Sequence, residues 1–262
     1  MNIKNSLRIT YCSLLNKRGF TLVEILFAVT IGLLLLSAIY IAVNSGQRSS
    51  VAIEAKTAAQ QDVRAALDLM AMEIGMASYN PTFASNDFIW SDLSTTSGQG
   101  CGVNASVTNP TWKGIVEASS TSLTVEADIN GDGVVGSTNE PNEVIRYVYV
   151  ITGGEQYITR CSCCTTSTNG SGGQPFLGDL STSGRPRGVR VVNNVNNMPI
   201  FRYFDGNGVE IFPDANPSVI PNIRRIDITI AVDTDSIDPN TGQRRRMIYS
   251  TSVIPRNHAI SQ

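Results

Sequence analysis

One ionisable residue, Glu24, interrupts an otherwise apolar stretch from Phe20 to Val43 (FTLVEILFAVTIGLLLLSAIYIAV). A carboxylate inside a membrane helix costs about 2.5–3.5 kcal/mol at the bilayer centre and less near the headgroups. Either it stays wet at the interface or it waits for a cation from another molecule, and position alone fits both. A second set lies in Asp128-Ile129-Asn130-Gly131-Asp132-Gly133-Val134. Oxygen-bearing side chains at loop positions one, three and five, then a glycine for the sharp turn, gather three side chains and the Val134 carbonyl round one point, as calcium requires. Position twelve is Asn139 rather than a glutamate, and Glu140 and Glu143 follow as further oxygen donors. The flanks read as strands, so this is a calcium-type loop outside an EF-hand; a plain Gly/Asn/Asp hairpin turn is the competing reading. Cysteines form the third set: Cys12, Cys101, Cys161, Cys163 and Cys164. The run C-S-C-C lacks the C-x2-C spacing of thiolate zinc sites, and no C-x-x-C-H motif for haem attachment occurs. The single histidine, His258, argues against a histidine-based triad or a His-rich zinc centre. No acid–base–nucleophile set stands out. No catalytic residue is assigned, and the expected role is not enzymatic.

The elements that carry these residues change character along the chain. From Phe20 to Val43, 24 residues make a helix about 36 Å long, enough to cross a bilayer core. Lys4, Arg8, Lys17 and Arg18 precede it with no acid among them, which places the N-terminus in the cytoplasm and the remainder outside. A cleavable secretory signal would have an apolar core of about 7–15 residues and a small-residue site after it; this run is longer, and no A-x-A-like site precedes QRSS. A helical period then continues through Ala55, Ala59, Val63, Ala66, Leu67, Met70, Ile74 and Ala77. Lys56, Gln60, Asp62, Arg64, Asp68 and Glu73 occupy the opposite face. No proline interrupts before Asn80-Pro81, which supplies the stop. Gly32 and Gly46 read as hinge points or as close helix contacts. Beyond Pro81 the period becomes two: residues 123–129, 144–151, 156–160, 189–192, 200–204, 223–232 and 246–254 are strand-like. Gly153-Gly154 and Asp205-Gly206-Asn207-Gly208 suit hairpin turns. The fold class is therefore α+β, with a long N-terminal helix whose amphipathic half packs on an antiparallel β-sheet head and leaves the sheet's other face polar.

Lys17-Arg18-Gly19-Phe20-Thr21-Leu22-Val23-Glu24 followed by an apolar run resembles the prepilin (class III) signal of type IV pilins and type II secretion pseudopilins. The resemblance implies that a prepilin peptidase cleaves between Gly19 and Phe20 and N-methylates Phe20, and that Glu24 pairs with the Phe20 amine of a neighbouring subunit. It divides the chain into a leader (1–19), a transmembrane and filament-core helix (20–43), an amphipathic helix (44–80) and a β-rich extracytoplasmic head (81–262). Its implied partners are the peptidase, other major and minor pilins, and the inner membrane with its pilus assembly machinery. Its implied location is the inner membrane as a single-pass protein, then the pilus or cell surface. ALDLMAMEIGMASY, Gly100-Cys101-Gly102, IFRYFDGNGVEI, NIRRIDITIAV and STSVIPRN look like PilW-type minor pilins and, more weakly, the J-type pseudopilin of type II secretion. That likeness implies a place at the tip or in the priming complex. Residues 81–188 are mostly Ser/Thr/Gly/Asn-rich and inherit nothing from it.

Composition agrees with a head of ordinary globular character. Of 262 residues, 42% are hydrophobic, so wholesale disorder is unexpected. Removing the leader's four cations takes the net charge from −2 to −6, against a nucleic-acid partner. The basic runs Arg224-Arg225 and Arg244-Arg245-Arg246 then read as charge protecting a sheet edge. Asp233, Asp235 and Asp238 lack the turn glycine and read as a solvated hairpin loop. Loss of the leader also removes Cys12. The other four cysteines lie outside the cytoplasm, where disulfides persist, and can pair in three ways. A bond between adjacent Cys163 and Cys164 is strained, so a bridge from Cys101 to the Cys161–Cys164 cluster is expected. No cofactor is required; calcium is the one candidate.

Overall fold

The computed structural model describes residues 19–82, 114–133, 135, 141–162, 173–178 and 189–259. The chain forms two compact units, Met1–Arg48 and Ser49–Gln262. In the first unit, the described residues are Gly19, Phe20, Thr21 and the opening of helix α1 (Leu22–Gly75). The Thr21 hydroxyl accepts the Glu24 N–H at 3.2 Å, and the Thr21 carbonyl takes the first helical bond, from the Ile25 N–H. That arrangement is an N-cap, and it starts the helix two residues later than the apolar pattern suggests.

Within the second unit, α1 buries Ala52, Ala59, Val63, Ala66, Leu67, Met70 and Ile74 along one side. This is the expected stripe, except that Ala55 is only half-buried. The helix ends at Gly75, short of Asn80-Pro81. Ser78 adopts a left-handed φ of 65°, which turns its N–H onto the Glu126 carbonyl at 2.8 Å. A tertiary bond, and not the proline, stops the helix.

Among the described residues ten strands follow: β1 (Ile115–Ala118), β2 (Ser122–Glu126), β3 (Val144–Thr152), β4 (Glu155–Ser162), β5 (Gln174–Leu177), β6 (Val189–Val191), β7 (Phe201–Phe204), β8 (Glu210–Ile211), β9 (Arg225–Thr234) and β10 (Arg246–Val253). β1 to β5 form an antiparallel meander in chain order. The second sheet runs β10-β9-β7-β8, with β6 also on β9. Gly153 and Gly154 have φ of 60° and 83°. Two left-handed residues give the primed turn that lets β3 and β4 keep their right-handed twist. Val63, Met70 and Ile74 of the helix share one core with Leu123, Tyr147 and Ile158 of the first sheet and Phe201, Ile226 and Ile228 of the second.

The faces away from that core differ from the expectation. In the first sheet the register sets Glu117 opposite Thr124 and Thr124 opposite Arg146. This face is polar as expected, yet Thr124 is fully buried and Arg146 is 6% exposed. Burial is tolerated because Glu117 accepts hydrogen bonds from Arg146 Nε and Nη2, Ser122 Oγ and Thr124 Oγ1. Burial itself disfavours the Glu117 carboxylate, but those bonds outweigh it and hold its pKa below the usual 4.5. On the second sheet's outer face the pairs Arg202–Glu210, Arg225–Asp227 and Arg246–Asp233 are half-exposed.

Candidate assembly and processing site

Gly19 and Phe20 precede the helix and are exposed, Phe20 to 77%. A Cβ at Gly19 would meet nothing within 4 Å, so packing among the described residues does not demand glycine there. Inside α1, Thr30 donates its hydroxyl to the Leu26 carbonyl, and Ser37 donates to the Leu34 carbonyl at 2.8 Å. Both hydroxyls are thus satisfied on their own helix, as an apolar solvent requires. Glu24 is different. Among the described residues its carboxylate has no hydrogen-bond or ion-pair partner, since only its backbone N–H is engaged. It stands four residues beyond Phe20, on the helix's first turn. A group with that surplus charge in an apolar surface can take an ammonium from another molecule. The large apolar side chains around it, Leu22, Val23, Ile25, Leu26 and Phe27, are all exposed. Among the described residues α1 is the one helix long and apolar enough to cross a membrane. A Cβ at Gly32 or Gly46 would also meet open space, so neither glycine serves a close contact within the described chain.

The calcium-type loop is organised by its own side chains. Buried Asp128 accepts the Gly131 N–H at 2.7 Å and the Gly133 N–H at 3.0 Å. Asn130 accepts the Asp132 N–H, and buried Glu143 accepts the Ile129 and Asn130 N–H groups. Val134 and Glu140 lie outside the described residues. Among the described residues no group of three or more His, Cys, Asp or Glu side chains is placed to hold a metal ion. Cys161 is disulfide-bonded; Cys101, Cys163 and Cys164 lie outside the described residues.

The loop with Asp233, Asp235 and Asp238 is not simply solvated. Asp238 is buried and accepts Arg245 Nε at 2.8 Å and the Asn240 N–H at 2.9 Å. Those bonds hold its carboxyl below the ordinary range, with the Asn240 N–H the largest cause and Arg245 the next. The basic runs are likewise engaged: Arg225 with Asp227, Arg244 with Asp235, Arg245 with Asp238, Arg246 with Asp233. Arg224 donates to the Pro221 and Ile223 carbonyls.

Two networks escaped sequence reasoning. Glu73, expected on the solvent face, has a side chain only 10% exposed, because Arg160 Nη2 reaches it at 2.6 Å and the Tyr147 hydroxyl donates to it. Burial, and then the Glu73 bond, push the Tyr147 hydroxyl's pKa far up; the same carboxylate raises that of Arg160. The sole histidine is a buried strut. His258 Nε2 lies 3.0 Å from the Ile220 carbonyl, an acceptor, so Nε2 carries the proton. In the neutral ring Nδ1 then accepts the Ser78 hydroxyl at 3.0 Å. Gly114, at φ 76°, closes on Ser78 so tightly that a Cβ would sit 2.0 Å from its Oγ. Polar residues thirty or more positions apart give no periodic signal, so only the fold reveals these pairs.

No curated protein and no solved structure matches this chain. Residues 14–40 match the family described as prokaryotic N-terminal methylation motif, and they enclose Gly19, Phe20, Thr21, Glu24, Thr30 and Ser37. The chain thus carries a prepilin-type signal on an apolar helix long enough to cross a membrane, which supports a type IV pilin-like protein.

Proposed function

We propose that this chain is a minor pilin of a type IV pilus, acting in pilus assembly or priming at the tip. A prepilin peptidase cleaves it between Gly19 and Phe20 and methylates the new terminus, with the helix N-terminus on the cytoplasmic side and the head outside. The observation that carries the reading is the Glu24 carboxylate, without a partner among the described residues, on an apolar stretch where the Thr30 and Ser37 hydroxyls bond their own helix's carbonyls. Cleavage creates an ammonium at Phe20. In a bundle of identical or related helices, that cation on one subunit compensates Glu24 on the next, so both leave the membrane paired. The PilW-type likeness of the head supports tip placement. The buried cysteine at 161 in a disulfide suits an extracytoplasmic head.

N-terminal mass spectrometry of the native protein tests processing: a mature chain beginning at methylated Phe20 is expected, and an intact Met1 makes the protein a simple membrane-anchored binding domain. Assembly is tested with Glu24→Gln, which should be cleaved normally yet fail to enter fibres. Deletion of the gene separates pilus from secretion. Lost piliation and motility support the minor pilin, whereas trapped exoproteins assign the chain to the J-type pseudopilins of type II secretion.

A further inference from the structure

We infer that Thr21 is a positioning residue for maturation: its side chain caps α1 and so keeps the Gly19–Phe20 bond outside the helix and open to the peptidase. The inference rests on the processing reading above and adds a residue to it. Hydrolysis breaks the Gly19 C–Phe20 N bond, adding the hydroxyl of water to the Gly19 carbonyl and a proton to the Phe20 nitrogen. A peptidase must reach that carbonyl from the side, which a helical turn would obstruct. Here the helix begins only at Leu22, and Gly19 and Phe20 are non-helical and exposed. No contact within the described chain crowds Gly19.

What fixes the boundary is the pair of Thr21 bonds: its hydroxyl to the Glu24 N–H and its carbonyl to the Ile25 N–H. Without the hydroxyl, the Glu24 N–H loses its acceptor at the edge of an apolar segment, where unmet backbone donors are expensive. Melting the first turn would expose still more of them. The cheaper response is for the helix to grow towards the N-terminus, using upstream carbonyls and drawing Phe20 and then Gly19 into helical geometry. The scissile bond must afterwards be unwound before each cleavage. An N-cap is worth roughly 0.5–2 kcal/mol, which corresponds to a roughly 2- to 30-fold slower cleavage.

The test is a cleavage time course on full-length protein in detergent with purified prepilin peptidase, comparing side chains at position 21 by capping ability. Thr21→Val keeps the shape of threonine but has no acceptor, and should be cut roughly 2- to 30-fold more slowly. Thr21→Ser, Thr21→Asn and Thr21→Gly all tolerate the cap position and should stay close to the natural rate. Glycine has no side chain for the enzyme to touch, so its behaviour distinguishes helix capping from recognition of the hydroxyl. Amide exchange at Glu24 in the uncut chain should slow in the valine variant, because helix growth gives its N–H the Phe20 carbonyl as acceptor. A valine variant cut at the natural rate overturns the inference and leaves the processing reading intact. A glycine variant as slow as valine also overturns it, assigning Thr21 to direct contact with the peptidase. If the natural chain is not cut at Gly19–Phe20 at all, the processing reading falls and takes this inference with it.

Discussion

Replacing Glu73 tests whether the helix is held on the first sheet by a polar clasp as well as by its apolar stripe. Glu73→Ala removes the acceptor of the buried Tyr147 hydroxyl and the counter-ion of Arg160. Orphaning a buried hydroxyl costs about 1–3 kcal/mol. Removing one partner of a buried ion pair costs about 3–5 kcal/mol, but the Arg160 side chain is 25% exposed and can rehydrate, so that figure is cut by more than half. Alanine returns a few tenths of a kcal/mol through helix propensity. The sum is a loss of roughly 2–4 kcal/mol, or about 5–15 °C in melting midpoint for a unit of this size. Glu73→Gln keeps an acceptor for Tyr147 and loses only the charge, so it should fall between alanine and the natural chain. Asp68→Ala, on the exposed side of the same helix, should stay within about 0.5 kcal/mol. The assay is chemical and thermal unfolding of the full chain in detergent, followed by near-ultraviolet circular dichroism. An alanine variant no less stable than the Asp68 control would refute the clasp.

Gly114→Ala sets a Cβ 2.0 Å from Ser78 Oγ and 2.4 Å from Ser78 Cα at a left-handed φ; a loss of about 2–5 kcal/mol is expected, read as a lowered unfolding midpoint. The folded-state pKa of Glu117 lies below its ordinary 4.5, so its contribution is complete above that value and fades as pH falls through the folded pKa. Glu117→Gln should therefore flatten the acid limb of a stability–pH profile while lowering stability at neutral pH. A calcium ion held by Asp128, Asn130 and Asp132 with a dissociation constant of about 10⁻⁴–10⁻³ M would, at about 5 mM, add roughly 1–2 kcal/mol and raise the melting midpoint by about 2–8 °C over a chelated sample. An unchanged midpoint assigns the loop to its own Asp128 and Glu143 hydrogen bonds.

Periodic features were legible in the sequence. The apolar run, the stripe through Val63, Met70 and Ile74, and the long strands β3, β4, β9 and β10 all announce themselves by spacing. Features settled by a single distant partner were not. The helix stops at Gly75 because Ser78 turns to meet Glu126, and no local residue signals that meeting. β1, β5 and β8 are short, carry glutamate or proline, and take their form from a paired neighbour. Glu73 looks like any surface glutamate until Arg160 and Tyr147 are brought beneath it. At the candidate site, Gly19, Phe20 and Glu24 stand out by type and spacing, whereas the role of Thr21 depends on where the helix begins.

The internal bonding of Thr30 and Ser37 has a mechanical corollary. With those hydroxyls turned back on their own carbonyls, the shaft from Leu22 to Val43 offers an adjacent rod a greasy flank with one charged notch near one end and the exposed Tyr40 ring near the other. A charged notch set off the axis resists lengthwise sliding and, when paired, spinning about the long axis as well. The rest of the segment carries no second charge that could compete for either setting.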